Sequence, residues 1–176
     1  MNLFFRFLWF TVVSFFKPPM EALDECRTPL RVWINDIDVY LHMNNGRYLT
    51  IMDIGRTELM VRCGFFGKLF AKKIYPVVAS EMIRFNRSLD AFRSYESTTK
   101  IMGWDDKYFY IEQRFERKGS ICAQAVVKVR FLQKGVGKIS PQVAIEAFGK
   151  KVQAPALPIW IHEWQESERA FLKQRD

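Results

Sequence analysis

Hydrophobic positions along the chain follow three different rhythms, and each rhythm predicts a different element. The first is nearly continuous. Leu3 to Phe16 reads LFFRFLWFTVVSFF, broken by Arg6 alone and followed by Lys17-Pro18-Pro19, which cannot continue a helix. The second is helical. Between Gly46 and Cys63 the residues Tyr48, Met52, Gly55, Leu59 and Cys63 recur at three- and four-residue spacing and give one buried stripe. Asn44 or Asn45 can cap that helix, and Gly64 sits where a terminating glycine belongs. Glu58 and Arg62 are spaced to form an i,i+4 pair on its exposed side.

The third rhythm has period two and starts at Pro76. Val77, Ala79, Glu81, Ile83 and Phe85 share one strand face, with Arg84, Asn86 and Ser88 on the other. Tyr95 to Met102, Lys107 to Glu116 and Ile121 to Leu132 alternate in the same way. The turns Gly103-Trp104-Asp105-Asp106 and Lys118-Gly119-Ser120 join them as antiparallel hairpins. Leu30 to Trp33 suggests one earlier strand, and Phe65 to Tyr75 a loop or short helix. Ser140-Pro141 opens a short helix closed by Gly149, and a last helix runs from Pro158 to Lys173. The expected order is therefore strand, helix, four strands in a meander, then carboxy-terminal helices. One long helix against one antiparallel sheet needs the sheet to wrap around it, which predicts an α+β fold. Residues 1–19 stand apart as a hydrophobic segment, and residues 20–176 form one domain.

Composition narrows the partners. A net charge of +8 suits nucleic acid, anionic lipid or a phosphate-bearing ligand. The lysines and arginines are scattered, and no nucleic-acid signature accompanies them, so no nucleic-acid partner is expected. Cys26, Cys63 and Cys122 are odd in number and form no C-x-x-C pair, which predicts reduced thiols and no metal site. The first 14-residue apolar run reaches ~21 Å as a helix against a hydrocarbon core of ~30 Å. It offers no signal-peptide cleavage site. A shallow membrane anchor is expected, with Trp9 and the phenylalanines at the acyl boundary and Arg6 and Lys17 at the headgroups. The alternative is a helix packed on the protein's own surface or in a dimer interface. Lys17, Arg27 and Arg31 place the domain on the cytoplasmic side.

The polar residues Asp36, Asp38, His42, Asn44 and Asn45 crowd into ten positions just before the predicted central helix. A helix N-terminus presents unpaired N–H groups and partial positive charge, which can stabilise the oxyanion of an attacked thioester carbonyl. A nearby carboxylate can attack that carbonyl or take a proton from water. The same residues are also ordinary caps and turn formers. The bare pattern leaves both readings open.

Trp33 to Tyr48, WINDIDVYLHMNNGRY, resembles the active-site segment of the 4-hydroxybenzoyl-CoA thioesterase-like hotdog family, with its Asp-x-Asp pair, His-x-Asn-Asn and Arg-Tyr. LHMNNGRYL, RCG, RSL, GWDDKYFYIEQRF, SPQV and ALPIW are closer still to the thioesterase superfamily member six subgroup, and the resemblance covers about residues 30 to 172. It implies a hotdog fold and acyl-CoA thioesterase activity, with CoA entering only as part of the substrate. Asp38 matches the family's catalytic carboxylate; His42, Asn44 and Asn45 match its motif, with an oxyanion hole near Asn45 and Gly46. Tyr48 and Leu41 are implied at the substrate site. Arg84, Arg87, Lys128 and Arg130 are candidate contacts for the CoA phosphates, each weighed against a plain solvated strand face. Asp105 and Asp106 are read as turn residues. A homodimer or tetramer joined at sheet edges is implied too. This chain departs from the family at Asn35 and Leu41, where glycine is common, and the bulk of Leu41 is expected to narrow the pocket. Two functions follow: hydrolysis of an acyl-CoA, or a membrane-attached module that holds acyl-CoA or lipid without turnover. A hotdog dehydratase is a third and weaker choice, since the only helix acids, Asp53 and Glu58, fall outside the buried stripe.

Overall fold

The computed structural model describes residues 3–149 and 152–173. Its elements are α1 (Leu3–Ser14), β1 (Cys26–Arg31), α2 (Asn45–Arg62), α3 (Phe65–Lys72), β2 (Ile74–Phe85), β3 (Ser94–Trp104), β4 (Phe109–Arg117), β5 (Ser120–Gln133), β6 (Gly137–Ile139), α4 (Pro141–Ala147) and α5 (Ile159–Lys173). All strands belong to one antiparallel sheet in the order β1-β3-β4-β5-β2, with β6 beside β5. The sheet's inner face carries α2, so the α+β architecture is as expected. The first strand lies earlier than Leu30 to Trp33, and β6 is additional.

The expected four-strand meander holds only for β3-β4-β5. β2 pairs with β5 across the sheet. The segment between β2 and β3 does not make a hairpin turn because it pairs elsewhere. The Met43 N–H donates to the Leu89 carbonyl, the Val32 N–H donates to the Arg93 carbonyl, and His42 bridges Asp90. A bulge between Val78 and Ser80 also breaks the face proposed from Val77 to Phe85. Both edge strands contain a proline, Pro29 in β1 and Pro76 in β2, where a missing N–H costs no ladder bond on the open side.

The stripe on α2 is buried as its spacing required. Asn44 caps it, its Oδ1 accepting from the Gly46 N–H at 2.9 Å, and Gly64 ends it at φ 72°. Gly55 is needed for close approach: a Cβ there would lie 2.5 Å from Thr99 Oγ1. Under it runs a polar layer. Gln113 Nε2 donates to the Met52 carbonyl and to Thr99 Oγ1, both at 2.9 Å, and Arg56 donates to Gln113 Oε1 at 2.7 Å. Glu58 is not on an exposed face. Its side chain is fully buried and accepts from Lys17 at 2.7 Å, Thr28 at 3.0 Å and Arg62 at 3.3 Å. Helix periodicity found the Arg62 partner, but the chain brings Lys17 and Thr28 over it. The thiol of neighbouring Cys26 is pushed up to about 11, first by burial and then by the Glu58 charge.

The amino-terminal helix docks on the domain. Leu3, Phe7 and Phe10 pack at i,i+4,i+7 spacing onto the cluster around Tyr48, Ile51 and Phe115. Arg6 is 1% exposed and donates to Asp36 at 2.6 Å and to the Arg31 carbonyl at 3.1 Å. Arg6 and Lys17 are therefore ion-pair partners of Asp36 and Glu58, not headgroup ligands. The opposite side of α1 remains exposed and apolar. No helix among the described residues is long and apolar enough to cross a membrane.

Candidate active site

The segment before α2 folds back on itself as a short hairpin. The Asn44 N–H donates to the Asp36 carbonyl at 2.8 Å, Ile37 bridges Met43, and the Asp38 N–H donates to the His42 carbonyl at 2.9 Å. The tip is closed by the Leu41 N–H on the Asp38 carbonyl at 3.0 Å. Leu41 sits at φ 61°, in the left-handed region that glycine occupies without cost. That conformation explains why glycine suits this position. It also turns the Leu41 side chain into solvent, 65% exposed, so its bulk narrows no pocket here.

The two aspartates of the pair have separate roles. Asp36 is a buried clamp. Its carboxylate accepts from Arg6, from the Trp33 N–H at 3.0 Å and from Arg47 at 3.2 Å. Asp38 is half-buried, its Oδ1 accepts from the Tyr40 N–H at 2.9 Å, and its backbone sits opposite His42. His42 is half-exposed, with Nε2 3.6 Å from the Asp90 carboxylate. Among the described residues, three or more metal-ligating side chains do not come together.

Gly46, assigned to the oxyanion hole, gives its N–H to the Asn44 side chain, and the Arg47 N–H bonds the Asn44 carbonyl. The Asn45 N–H has no partner among the described residues and is the donor open to a ligand. Tyr48 is a core residue rather than a substrate contact. It stacks on Phe115 at 5.3 Å and meets Phe85 edge-on at 5.1 Å, and burial pushes its phenol up to about 12. Lys128 is also taken: it pairs with Glu168 of α5 at 2.5 Å and lies over the Tyr108 ring, as does Arg130. Packing of α5 on the outer sheet face, through Ile161 against Tyr110 and Val126, was not visible in the strand alternation. Asp105 holds its turn as expected. Burial opposes its charge, but the N–H groups of Lys107 and Tyr108, the Tyr110 hydroxyl and Gln165 hold its carboxyl below the usual range. Arg84 and Arg87 are exposed and form no salt bridge among the described residues.

An apolar cavity of about 550 Å³ lies between α2 and the sheet, walled by Ile101, Phe109, Val129, Phe131 and Phe148. This is within the ordinary range for small-molecule sites, roughly 300–1,000 Å³. Its α2 wall is Thr50, Asp53, Arg56, Thr57, Leu59 and Met60, of which Thr50, Asp53, Thr57 and Met60 form one stripe. These continue the helix face of Gly46 at i+4, i+7, i+11 and i+14. The lining of α2 begins at Thr50, one turn past Gly46, and neither Asn45 nor Gly46 lines the cavity. Asp38 and His42 do not line it. Asp53 does, and it is paired with Arg56, which also approaches Glu81 at 3.5 Å. Burial raises the Glu81 carboxyl, and the Arg56 charge opposes that rise.

A family model described as the thioesterase-like superfamily matches residues 32–165. Protein THEM6 of Danio rerio is 36% identical over 163 residues, 92% of this chain and 79% of that protein. Probable thioesterase YBR096W of Saccharomyces cerevisiae is 32% identical over 118 residues, 65% of this chain and 50% of that protein. Among solved structures, the probable thioesterase YbaW of Escherichia coli superposes with a TM-score of 0.64 at 21% identity, over 71% of this chain and 99% of that one.

Proposed function

The chain belongs to the thioesterase-like superfamily and has its hotdog fold, and from that premise we propose that it hydrolyses an acyl-CoA thioester to free acid and CoA. The observation that carries the reading is the cavity along α2 from Thr50 to Met60, which begins one turn from the Asn45 N–H at the helix start. It would hold an acyl chain with the thioester carbonyl at the helix N-terminus. There the Asn45 N–H and the partial positive charge of the helix end stabilise the oxyanion. Asp38, carried on the adjoining hairpin, either attacks the carbonyl to form a mixed anhydride that water then cleaves to the free acid, or takes a proton from a water that attacks the carbonyl itself; in both routes the C–S bond breaks and the CoA thiolate leaves without a dedicated acid. Asn44 positions the helix end and His42 the hairpin. Arg84 and Arg87 are free to meet the CoA phosphates. β2 presents an unpaired apolar edge, with Val77, Met82 and Phe85 exposed, which suits pairing with the β2 of a second copy, as a dimer or as half of a tetramer. Such pairing would bring a partner's surface to the half-exposed Asp38 hairpin.

The test is release of CoA from a panel of acyl-CoAs. Asp38→Asn is expected to lower turnover by roughly a hundredfold or more, the scale of a lost acid–base group. Asp53→Asn keeps the cavity and should retain turnover. Equal rates for wild type and Asp38→Asn would sink the assignment, and loss only in Asp53→Asn would move the role there. The second reading, an acyl-CoA holder without turnover, is favoured by two observations: Asp38 lies outside the cavity, and the Gly46 N–H is spent on the cap. Saturable binding with no CoA release would select it.

A further inference from the structure

The exposed side of α1 is not an isolated stripe. Phe5, Trp9, Val12 and Phe16 follow one another at i,i+4,i+7,i+11, each 46–85% exposed. At the end of α1 the surface passes to α3. The Phe15 ring meets Phe66 at 5.9 Å, and Phe66 meets Phe70 at 5.1 Å; Phe70 is 72% exposed. Two helices distant in sequence thus share one aromatic face. Contiguous exposed apolar faces of this kind mark interaction surfaces. At its other end it reaches the cavity: Leu3, Phe4 and Phe7 line the cavity, and Phe4 is also 67% exposed. The mouth beside α1 opens onto the aromatic face.

Charge says what covers it. Residues 3–20 and 65–73 contain no acidic residue, and with Arg6, Lys17 and Lys68 taken by Asp36, Glu58 and the Phe148 carbonyl, the cations left at this face are those at the end of α3. Lys72 and Lys73 are exposed, and Lys134, whose N–H donates to the Lys73 carbonyl at 3.0 Å, stands beside them. A second copy would bring these cations against each other. An anionic leaflet would neutralise them while the aromatic rings enter the acyl boundary. The buried Arg6–Asp36 pair holds α1 at a fixed angle to the cavity, so this is a rigid docking face rather than a tethered anchor.

We propose that the joint α1–α3 face docks on an anionic lipid leaflet and that the acyl chain enters the cavity directly from that leaflet, past Phe4. The entry step rests on the acyl-site reading of the cavity above.

The full chain is sedimented with vesicles of phosphatidylcholine alone and of phosphatidylcholine with phosphatidylserine. It is then assayed on oleoyl-CoA carried in the vesicles and on butyryl-CoA free in solution. Wild type is expected to sediment with the anionic vesicles. Trp9→Glu and Phe70→Glu should each lower that binding, and turnover of vesicle-borne oleoyl-CoA, by about tenfold while butyryl-CoA turnover is unchanged. Both substituted side chains are exposed, so folding is spared. Wild type remaining in the supernatant, or Phe70→Glu sedimenting like wild type, overturns the proposal. So does a variant that alters the oligomeric state in vesicle-free solution, since a second copy would then own the face. Wild type inactive on both substrates would defeat the hydrolase reading instead, and sedimentation would still decide the docking face.

Discussion

Replacing Arg6 by methionine isolates the contact that fastens α1 to the active-site segment. The guanidinium donates to Asp36 at 2.6 Å, and the two side chains are 2% and 1% exposed. With charge centres about 4 Å apart and an effective dielectric near 20, their attraction is about 4 kcal/mol. Methionine keeps an unbranched apolar stem, so the loss is chiefly that attraction. Asp36 stays buried with the Trp33 N–H and Arg47, whose side chain is 26% exposed. Breaking one side of a buried pair costs about 3–5 kcal/mol, and the surviving Arg47 contact puts Arg6→Met near the lower end. About 3 kcal/mol is a large part of the 5–15 kcal/mol that holds an ordinary domain together. In a chain of this size it lowers the melting temperature by roughly 6–12 °C. Urea denaturation of wild type, Arg6→Met, Asp36→Asn and the double variant measures the cycle. The double variant should be no less stable than the worse single, because the unpaired charge is gone. A loss below about 1 kcal/mol in Arg6→Met would refute the argument, since that is the worth of a solvated pair. α1 would then be held by Leu3, Phe7 and Phe10 alone.

Two further substitutions test local geometry. Gly55→Ala places a Cβ 2.5 Å from Thr99 Oγ1 and should cost about 1–3 kcal/mol by urea titration, despite the better helix propensity of alanine; a gain in stability would show that α2 does not lie so close to the sheet. Leu41→Gly relieves the left-handed strain at an exposed position and should stabilise by about 0.5–1 kcal/mol after the added freedom of the unfolded chain is counted; a destabilised variant would mean that the turn is not left-handed at Leu41.

Much of the molecule could be read from the chain because the signals are local. The α2 stripe, the Asn44 cap, the left-handed Gly64, the β3-β4-β5 hairpins and the Ser140-Pro141 start all depend on residues within a turn or two of one another. The Asp36 to Tyr48 segment was recognisable for the same reason, as polar residues crowded into ten positions at the start of a helix. What stayed hidden depends on distance in sequence. β2 joins β5 because the segment after β2 is claimed by the Asp38 hairpin. Glu58 is buried because Lys17 and Thr28 arrive to satisfy it. Arg6 lies beneath α1 because Asp36 awaits it, although along the sequence it is only a charge interrupting an apolar run. Tyr48 and Lys128 moved from site candidates to packing partners once Phe115 and α5 were in place. Periodicity reports which side of an element is apolar. Only the tertiary structure decides which distant group a buried charge meets, and that pairing sets where α1 lies and where the cavity opens.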